Sequence, residues 1–342
     1  MTMAQNKPHF IAVRPIAVLI SDVHYSLPTL ELADKAMRKA IDEASYLGVP
    51  LIVAGDLHDT KANLRGECVN TMLETFAYAK RECVDAIILV GNHDLLNEKG
   101  KQNSLNFLRH SAIIVSAPLT HNLPCALIPY QSDPEEFERY LAEVPKGSLV
   151  IMHQGVHGAE MGDYVHDKSA ISADLLANYR VISGHYHKAQ TIECYPGVID
   201  YIGTPYTVTF AEANDGPKGF QILYSDYSMK QVPTNLRKHV IIEMDFESKH
   251  VKHDAKPGDL VWVKIKGPAL ELEKLTKKNV ASYLFLHDTN FRLDKIPTDS
   301  AQLKTEEVVD KSNEELMDLL VDNSSEKEED KVELKKLWRS LL

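Results

Sequence analysis

Asp22 with His24, Asp56 with Asp59, the run Asn92-His93-Asp94, His153, and His185 with His187 are side chains that can hold a cation or move a proton. Each group follows closely on a short apolar run. Residues i and i+2 of an extended chain point the same way, so Asp22 can share a centre with His24, and His185 with His187. Gly55, Gly91 and Gly184 precede Asp56, Asn92 and His185 and permit a sharp turn and close backbone approach. The candidate ligands Asp22, His24, Asp56, Asn92, His153, His185 and His187 are imidazoles, carboxylates and one amide, with no thiolate. Such a set suits Mn²⁺, then Fe²⁺ or Zn²⁺, at higher coordination than a tetrahedral structural zinc. Seven ligands are too many for one ion and enough for two. A pair of ions ~3.5–4 Å apart suits phosphate-ester hydrolysis, with both ions clamping the phosphate while a hydroxide attacks in line.

The elements that must position these groups are legible from periodicity. The apolar runs Ile16–Ile20, Pro50–Ala54, Ala86–Val90, Leu149–Met152 and Val181–Ile182 read as strands. Leu30–Leu47 and Leu64–Cys83 have helical spacing between the first three, so the chain reads as a sheet with covering helices. In an open α/β sheet, functional groups gather outside the carboxyl ends of the strands, where five such ends can converge.

Beyond residue 235 the pattern changes. Val240–Phe246 and Leu260–Ile265 alternate like strands with one exposed face, Pro268–Val280 reads as a helix opened by its proline, and Ser282–His287 as a further strand. From Lys304 onward twelve acids face seven bases. Ser312-x-x-Glu315 and Ser325-x-x-Glu328 have capping-box form, and Leu334, Leu337, Trp338 and Leu341 share one helical face, which predicts a helical hairpin. The expected division is thus 1–235, 236–303 and 304–342.

The ordered set D-x-H, G-D-x-x-D, G-N-H-D, H, G-H-x-H resembles the calcineurin-like metallophosphoesterase family. Tyr201-Ile-Gly-Thr-Pro-Tyr206, Glu212 and Lys218-Gly-Phe220 make the chain similar to the SbcD branch, nuclease subunits of complexes that process DNA ends, and above all to those of tailed phages. The resemblance implies a four-layer αββα sandwich with a small α+β cap that contacts DNA. It places Asp22, His24, Asp56 and His187 on one ion and Asn92, His153 and His185 on the other, with Asp56 bridging. His93 matches the catalytic histidine, which protonates the leaving oxygen or stabilises the transition state, and Asp94 would orient it. Val23 and His58 depart from the tryptophan and aromatic usual at those positions. His157 and His166 follow His153 closely, but only His153 directly ends an apolar run.

The implied activity is that of a Mn²⁺-dependent DNA exonuclease and endonuclease, with Mg²⁺ able to replace Mn²⁺. Duplex DNA ends, an SMC-like ATPase docked on the C-terminal helices, and a second copy of the chain are the implied partners. No G-x-x-x-x-G-K-[ST] occurs, so an ATP-driven step belongs to another chain. A dimetal phosphodiesterase or phosphatase for nucleotides or phosphoproteins is the alternative; a scaffold with purely structural ions is disfavoured by His93, which ligation does not require.

The net charge of −11 argues against a free-standing nucleic-acid binder. Part of it sits in the tail, and part around the proposed centre, where divalent cations would reverse the local sign. DNA binding by the isolated chain is therefore expected to be weak without metals and partner. Four scattered cysteines suggest reduced thiols. No apolar run reaches the ~18 residues of a membrane helix and no leader pattern opens the chain, so a cytoplasmic location is expected, in the host if phage-encoded.

Overall fold

The computed structural model describes residues 12–97, 102–119, 125–160, 170–248 and 251–298, with 321, 331–332 and 334–336 beyond them. The chain divides into two compact units, Met1–His239 and Val240–Leu342.

The first unit opens with β1 (Pro15–Ile20), α1 (Leu30–Leu47), β2 (Leu51–Val53), α2 (Gly66–Arg81), β3 (Ala86–Leu89) and β4 (Ile113–Val115). It continues through β5 (Cys125–Ile128), α3 (Pro134–Ala142), β6 (Leu149–His153), β7 (Arg180–Gly184), β8 (Gln190–Cys194), β9 (Gly197–Tyr201), β10 (Gly219–Tyr224) and β11 (Met229–Pro233). One sheet has the order β11-β10-β1-β2-β3-β4 and the other β5-β6-β7-β9-β8. The β1–β4 stretch is parallel, with Val18 opposite Leu51 and Ile52 opposite Ile87, as is β5-β6-β7-β9.

Alternation along each strand separates the layers. Ala17, Leu19, Ile52, Ala54, Ile87 and Leu89 of the first sheet meet Leu127, Leu149, Ile151 and Ile182 of the second in one cluster. The intervening residues Val18, Ile20, Val53 and Ile88 pack with α1 and α2, while Val150, Met152 and Val181 join Phe137 and Leu141 of α3. Both sheets are thus buried on two faces, which explains why their strands read as continuous apolar runs. The result is the α/β, αββα layering expected. Helix α1 buries Ala33, Ala36, Met37, Ala40, Ile41 and Ala44, an apolar stripe at helical spacing that faces the sheet.

The second unit contains β12 (His239–Asp245), β13 (Leu260–Gly267), α4 (Ala269–Glu273), α5 (Lys277–Leu284) and β14 (Arg292–Pro297), with the three strands in that order in one sheet. Val261, Val263 and Ile265 of β13 share a buried cluster with Leu272, Val280, Ala281 and Leu284 of the helices.

Two expectations are corrected here. The single helix over Pro268–Val280 is two helices, because Thr276 starts a new one: its hydroxyl accepts from the Asn279 N–H at 3.2 Å. Ser282–His287 is not a strand: α5 runs through Leu284, Phe285 adopts the left-handed conformation (φ 54°) that ends it, and Leu286 N–H returns to the Ala281 carbonyl. The third strand lies instead at Arg292–Pro297, paired in parallel with β13. The helical hairpin expected over 304–342 lies outside the described residues, apart from isolated helical positions at 321, 331–332 and 334–336. Among the described residues no helix is long and apolar enough to cross a membrane.

Candidate metal centre

The carboxyl ends of β1, β2, β3, β6 and β7 deliver the ligand candidates to one place. Asp22, His24 and His187 bring ligand atoms within 4.8 Å of one another, as do Asp56, His153 and His185. Asn92 joins the second group, its Oδ1 lying 3.1 Å from His153 Nε2 and 2.9 Å from His185 Nδ1. All seven predicted ligands therefore fall in two adjoining clusters.

The chain turns abruptly to achieve this. Asp22, His24, Asp56 and His185 have positive φ of 53°, 50°, 49° and 94°. A left-handed residue costs about 1–2 kcal/mol, and full burial of a large aliphatic side chain returns about 1.5–3 kcal/mol. Leu19, Ile20, Val53, Ile151 and Ile182, all fully buried in the strands leading into these turns, outweigh that strain. Clearance is equally tight. A Cβ on Gly55 would stand 2.1 Å from His153 Nδ1, and one on Gly91 would stand 2.2 Å from Asp56 Oδ1.

Hydrogen bonds fix which ring nitrogen faces inward. His153 Nδ1 lies 2.7 Å from the Ala54 carbonyl, so it carries the proton and leaves the Nε2 lone pair toward Asp56 Oδ2 at 3.3 Å and Asn92 Oδ1. His187 Nδ1 donates to Glu212 Oε1 at 2.9 Å, and His24 Nδ1 faces Asp59 Oδ1 at 3.4 Å. The two remaining nitrogens, His24 Nε2 and His187 Nε2, then meet at 3.0 Å. Acceptors converging on acceptors repel unless a cation or a proton lies between them, so the donor set fits two divalent ions.

The electrostatics agree. Burial alone would lower the His24 and His153 imidazoles, but surrounding carboxylates push both up to about 9: Asp59, Asp56 and Asp22 act on His24, and Asp56 and Asp22 on His153. Burial alone would raise the Asp56 carboxyl, yet the His153, His24 and His93 imidazoles hold it below the ordinary carboxylate range. In the metal-free protein, protons on imidazole thus balance the acids that ions would otherwise balance. Bound there, two ions would supply Lewis-acid polarisation of a phosphate ester and activate water at neutral pH.

His93 joins neither of these two clusters but shares a third with His24 and Asp59, their ligand atoms lying within 4.8 Å of one another. Its backbone N–H donates to Asp56 Oδ1 at 2.8 Å, and its Nδ1 lies 2.5 Å from the Asp59 carbonyl. The Nδ1 proton is thus fixed, and Nε2 is the atom left to hold or deliver one. Asp94 takes a different role from the orienting one expected. Its buried carboxylate accepts from the N–H groups of Gly91 (2.9 Å) and His58 (3.0 Å), with Leu57 N at 3.4 Å, tying the β2 and β3 turns together. Burial and the nearby Asp56 charge push Asp94 up to about 7. The Asp59 carbonyl, not Asp94, orients the His93 ring.

The motif outliers also find places. Val23 is fully buried, and its carbonyl accepts from Tyr206 Oη. His58 is buried, with Nδ1 accepting from Thr60 N–H. His157 is exposed and outside both clusters, and His166 lies outside the described residues. Glu212, noted in the sequence only as part of a signature, proves to touch a ligand; its distance along the chain hid that role.

The profile of the calcineurin-like phosphoesterase family matches residues 17–189, half of the chain. No curated protein matches the sequence. Among solved structures, a dimetal phosphatase from Danio rerio aligns at 15% identity and a TM-score of 0.42, covering 64% of this chain and 97% of that one. A candidate 5′-nucleotidase from Staphylococcus aureus aligns at 12% identity and a TM-score of 0.34, covering 65% of this chain and 53% of that one. The matched segment is the one whose strand ends carry the converging acceptors, and the chain belongs to the calcineurin-like phosphoesterase family of metal-dependent hydrolases.

Proposed function

We propose that the chain is the nuclease subunit of an SMC-like ATPase–nuclease complex, a DNA exonuclease and endonuclease that uses two Mn²⁺ ions, with Mg²⁺ able to replace them. The observation that carries this reading is His93. A phosphodiester of DNA expels a sugar alkoxide, a poor leaving group that needs a proton, and His93 Nε2 is free of the contact that holds Nδ1. The Tyr201–Tyr206 segment, the signature of the SbcD resemblance, adds support because it holds the backbone beside two strand ends of the centre. Tyr201 Oη donates to the Gln154 carbonyl at 2.9 Å, and Thr204 N–H to that of His187 at 3.1 Å.

The second unit supplies a surface suited to a phosphodiester backbone. Trp262, Lys264 and Lys266 share one face of β13, opposite the buried Val261, Val263 and Ile265. The Arg292 guanidinium lies 3.8 Å from the Trp262 ring centroid and Lys264 Nζ 4.5 Å from it. Glu243 and Asp294 pair with Lys264 and Arg292 on the same sheet, so the face is of mixed sign. That matches an isolated chain of net charge −11 that binds DNA weakly and relies on metals, on the ATPase held by the C-terminal helices, and on a second copy for avidity.

Linear duplex DNA incubated with Mn²⁺, with and without the ATPase, tests the reading, alongside a phosphomonoester and a nucleotide. Cleavage of DNA that His93→Ala abolishes is expected. Robust cleavage by that variant, or hydrolysis of the small substrates alone, overturns it and favours the phosphatase alternative. Deleting residues 305–342 should abolish association with the ATPase.

A further inference from the structure

His187, His24 and His153 differ in what stands behind their rings. His187 is backed by Glu212, buried and held at both oxygens. Oε1 accepts from His187 Nδ1 at 2.9 Å, and Oε2 accepts from Val208 N–H at 3.0 Å with Lys218 Nζ at 3.4 Å. Lys218 Nζ also donates to the His187 carbonyl (2.8 Å) and to Asp215 Oδ2 (2.9 Å). Lys218 and Asp215 neutralise each other, which leaves the Glu212 charge directed at the imidazole. His24 Nδ1 has a second carboxylate, Asp59, at an ion-pair distance of 3.4 Å without a hydrogen bond. On the other side, His153 is backed by a neutral carbonyl, that of Ala54. Asp56 stands with His153 and His185, its Oδ2 3.3 Å from His153 Nε2, and it faces the ligating nitrogens rather than backing a ring.

An imidazole whose far nitrogen donates to a carboxylate is a stronger base, and a better ligand, than one donating to a carbonyl. We infer that Glu212 and Asp59 are positioning residues that make the Asp22–His24–His187 position the tighter of the two metal positions, with the Asn92–His153–His185 position exchanging its ion more readily. Glu212, Asp215 and Lys218 lie beyond the 17–189 segment matched by the family profile, so this support is supplied by a later part of the chain. The inference rests on the dimetal centre and not on the identity of the substrate.

Calorimetric titration of the metal-depleted full chain with MnCl₂, read together with the loss of free Mn²⁺ by electron paramagnetic resonance, tests it. Wild type should take up two ions in two separable steps. Glu212→Gln and Asp59→Asn should each weaken the tighter step about 10- to 100-fold and leave the weaker one within about threefold; Glu212→Asp should recover part of the loss. Asp59 is half-exposed, so its variant keeps the test decisive if the buried Glu212→Gln does not fold. Equal affinities in wild type, an unchanged tight step in the variants, or equal weakening of both steps overturns the inference. Failure of DNA cleavage alone would leave this titration untouched, so the two ideas fail separately.

Discussion

The strand ends of the first unit and the outer sheet face of the second handle charge in opposite ways. At the strand ends, Asp22, Asp56, His153 and Asp94 are almost wholly buried, and each is held by hydrogen bonds to backbone or side chains. On β13 and β14, Lys264, Lys266, Arg292 and Asp294 lie partly or fully in water; Lys264 pairs with Glu243 across strands and Arg292 with Asp294 along one, all through flexible side chains. Buried charge in fixed geometry acts at full strength and tolerates little change. Exposed charge is screened by salt and adapts. Chemistry needs the first kind of arrangement, and engagement of a long polyanion is served by the second.

That contrast yields expectations graded by size. Asp56→Asn removes the carboxylate that the family resemblance assigns to both positions and should lose both ions and all hydrolysis, read by elemental mass spectrometry beside an activity assay. His93→Ala should cost about 10²- to 10⁴-fold in kcat while metal content stays at two ions per chain. Equal metal loss in both variants would erase the distinction between bridge and proton donor. Gly55→Ala forces a Cβ against His153 at a backbone φ of +94°, which should lower stability by about 1–3 kcal/mol in urea melts and weaken the second ion.

A pH series sharpens the comparison further. The folded-state values of His24 and His153, about 9, lie above the ordinary 6.5. Their contribution to the metal-free protein is therefore complete below about pH 6.5 and is lost as pH rises through 9. Metal-free melting temperatures should fall across that window. Metal uptake should strengthen over the same range, because ions and protons compete for the same nitrogens. The smallest effect belongs to the second unit: Lys266→Ala should leave the hydrolytic rate intact and reduce the salt dependence of DNA binding by a slope of about one.

Much of this was readable in the sequence where burial dictates composition. Helix α1 begins and ends at Leu30 and Leu47 as its periodicity predicts, and the ligand-bearing strands are apolar because both faces are covered. The seven ligand candidates stood out because each follows such a run. Strand β14 did not, since Arg292, Asp294 and Lys295 carry no apolar alternation. The break in the Pro268–Val280 helix turned on one hydroxyl cap at Thr276, and the strand expected at Ser282–His287 failed because Leu284 completes a helical face begun at Val280 and Ala281. Asp94 was misplaced for a related reason: spacing identifies a carboxylate near His93 but not the backbone amides of a neighbouring turn that claim it. Glu212 was hidden by topology, arriving from 25 residues beyond His187.

The left-handed turns at Asp22, His24, Asp56 and His185 have a consequence for how substitutions there are interpreted. Outside glycine, the residues that adopt this conformation most readily are asparagine, aspartate and histidine, which are also residues that coordinate hard and borderline cations. One short alphabet serves both demands, so few side chains can satisfy both at these positions. Replacement of Asp22 by leucine removes a donor and imposes a steric penalty together, whereas replacement by glycine removes the donor alone. The difference in folding stability between the two isolates the backbone's share of the constraint.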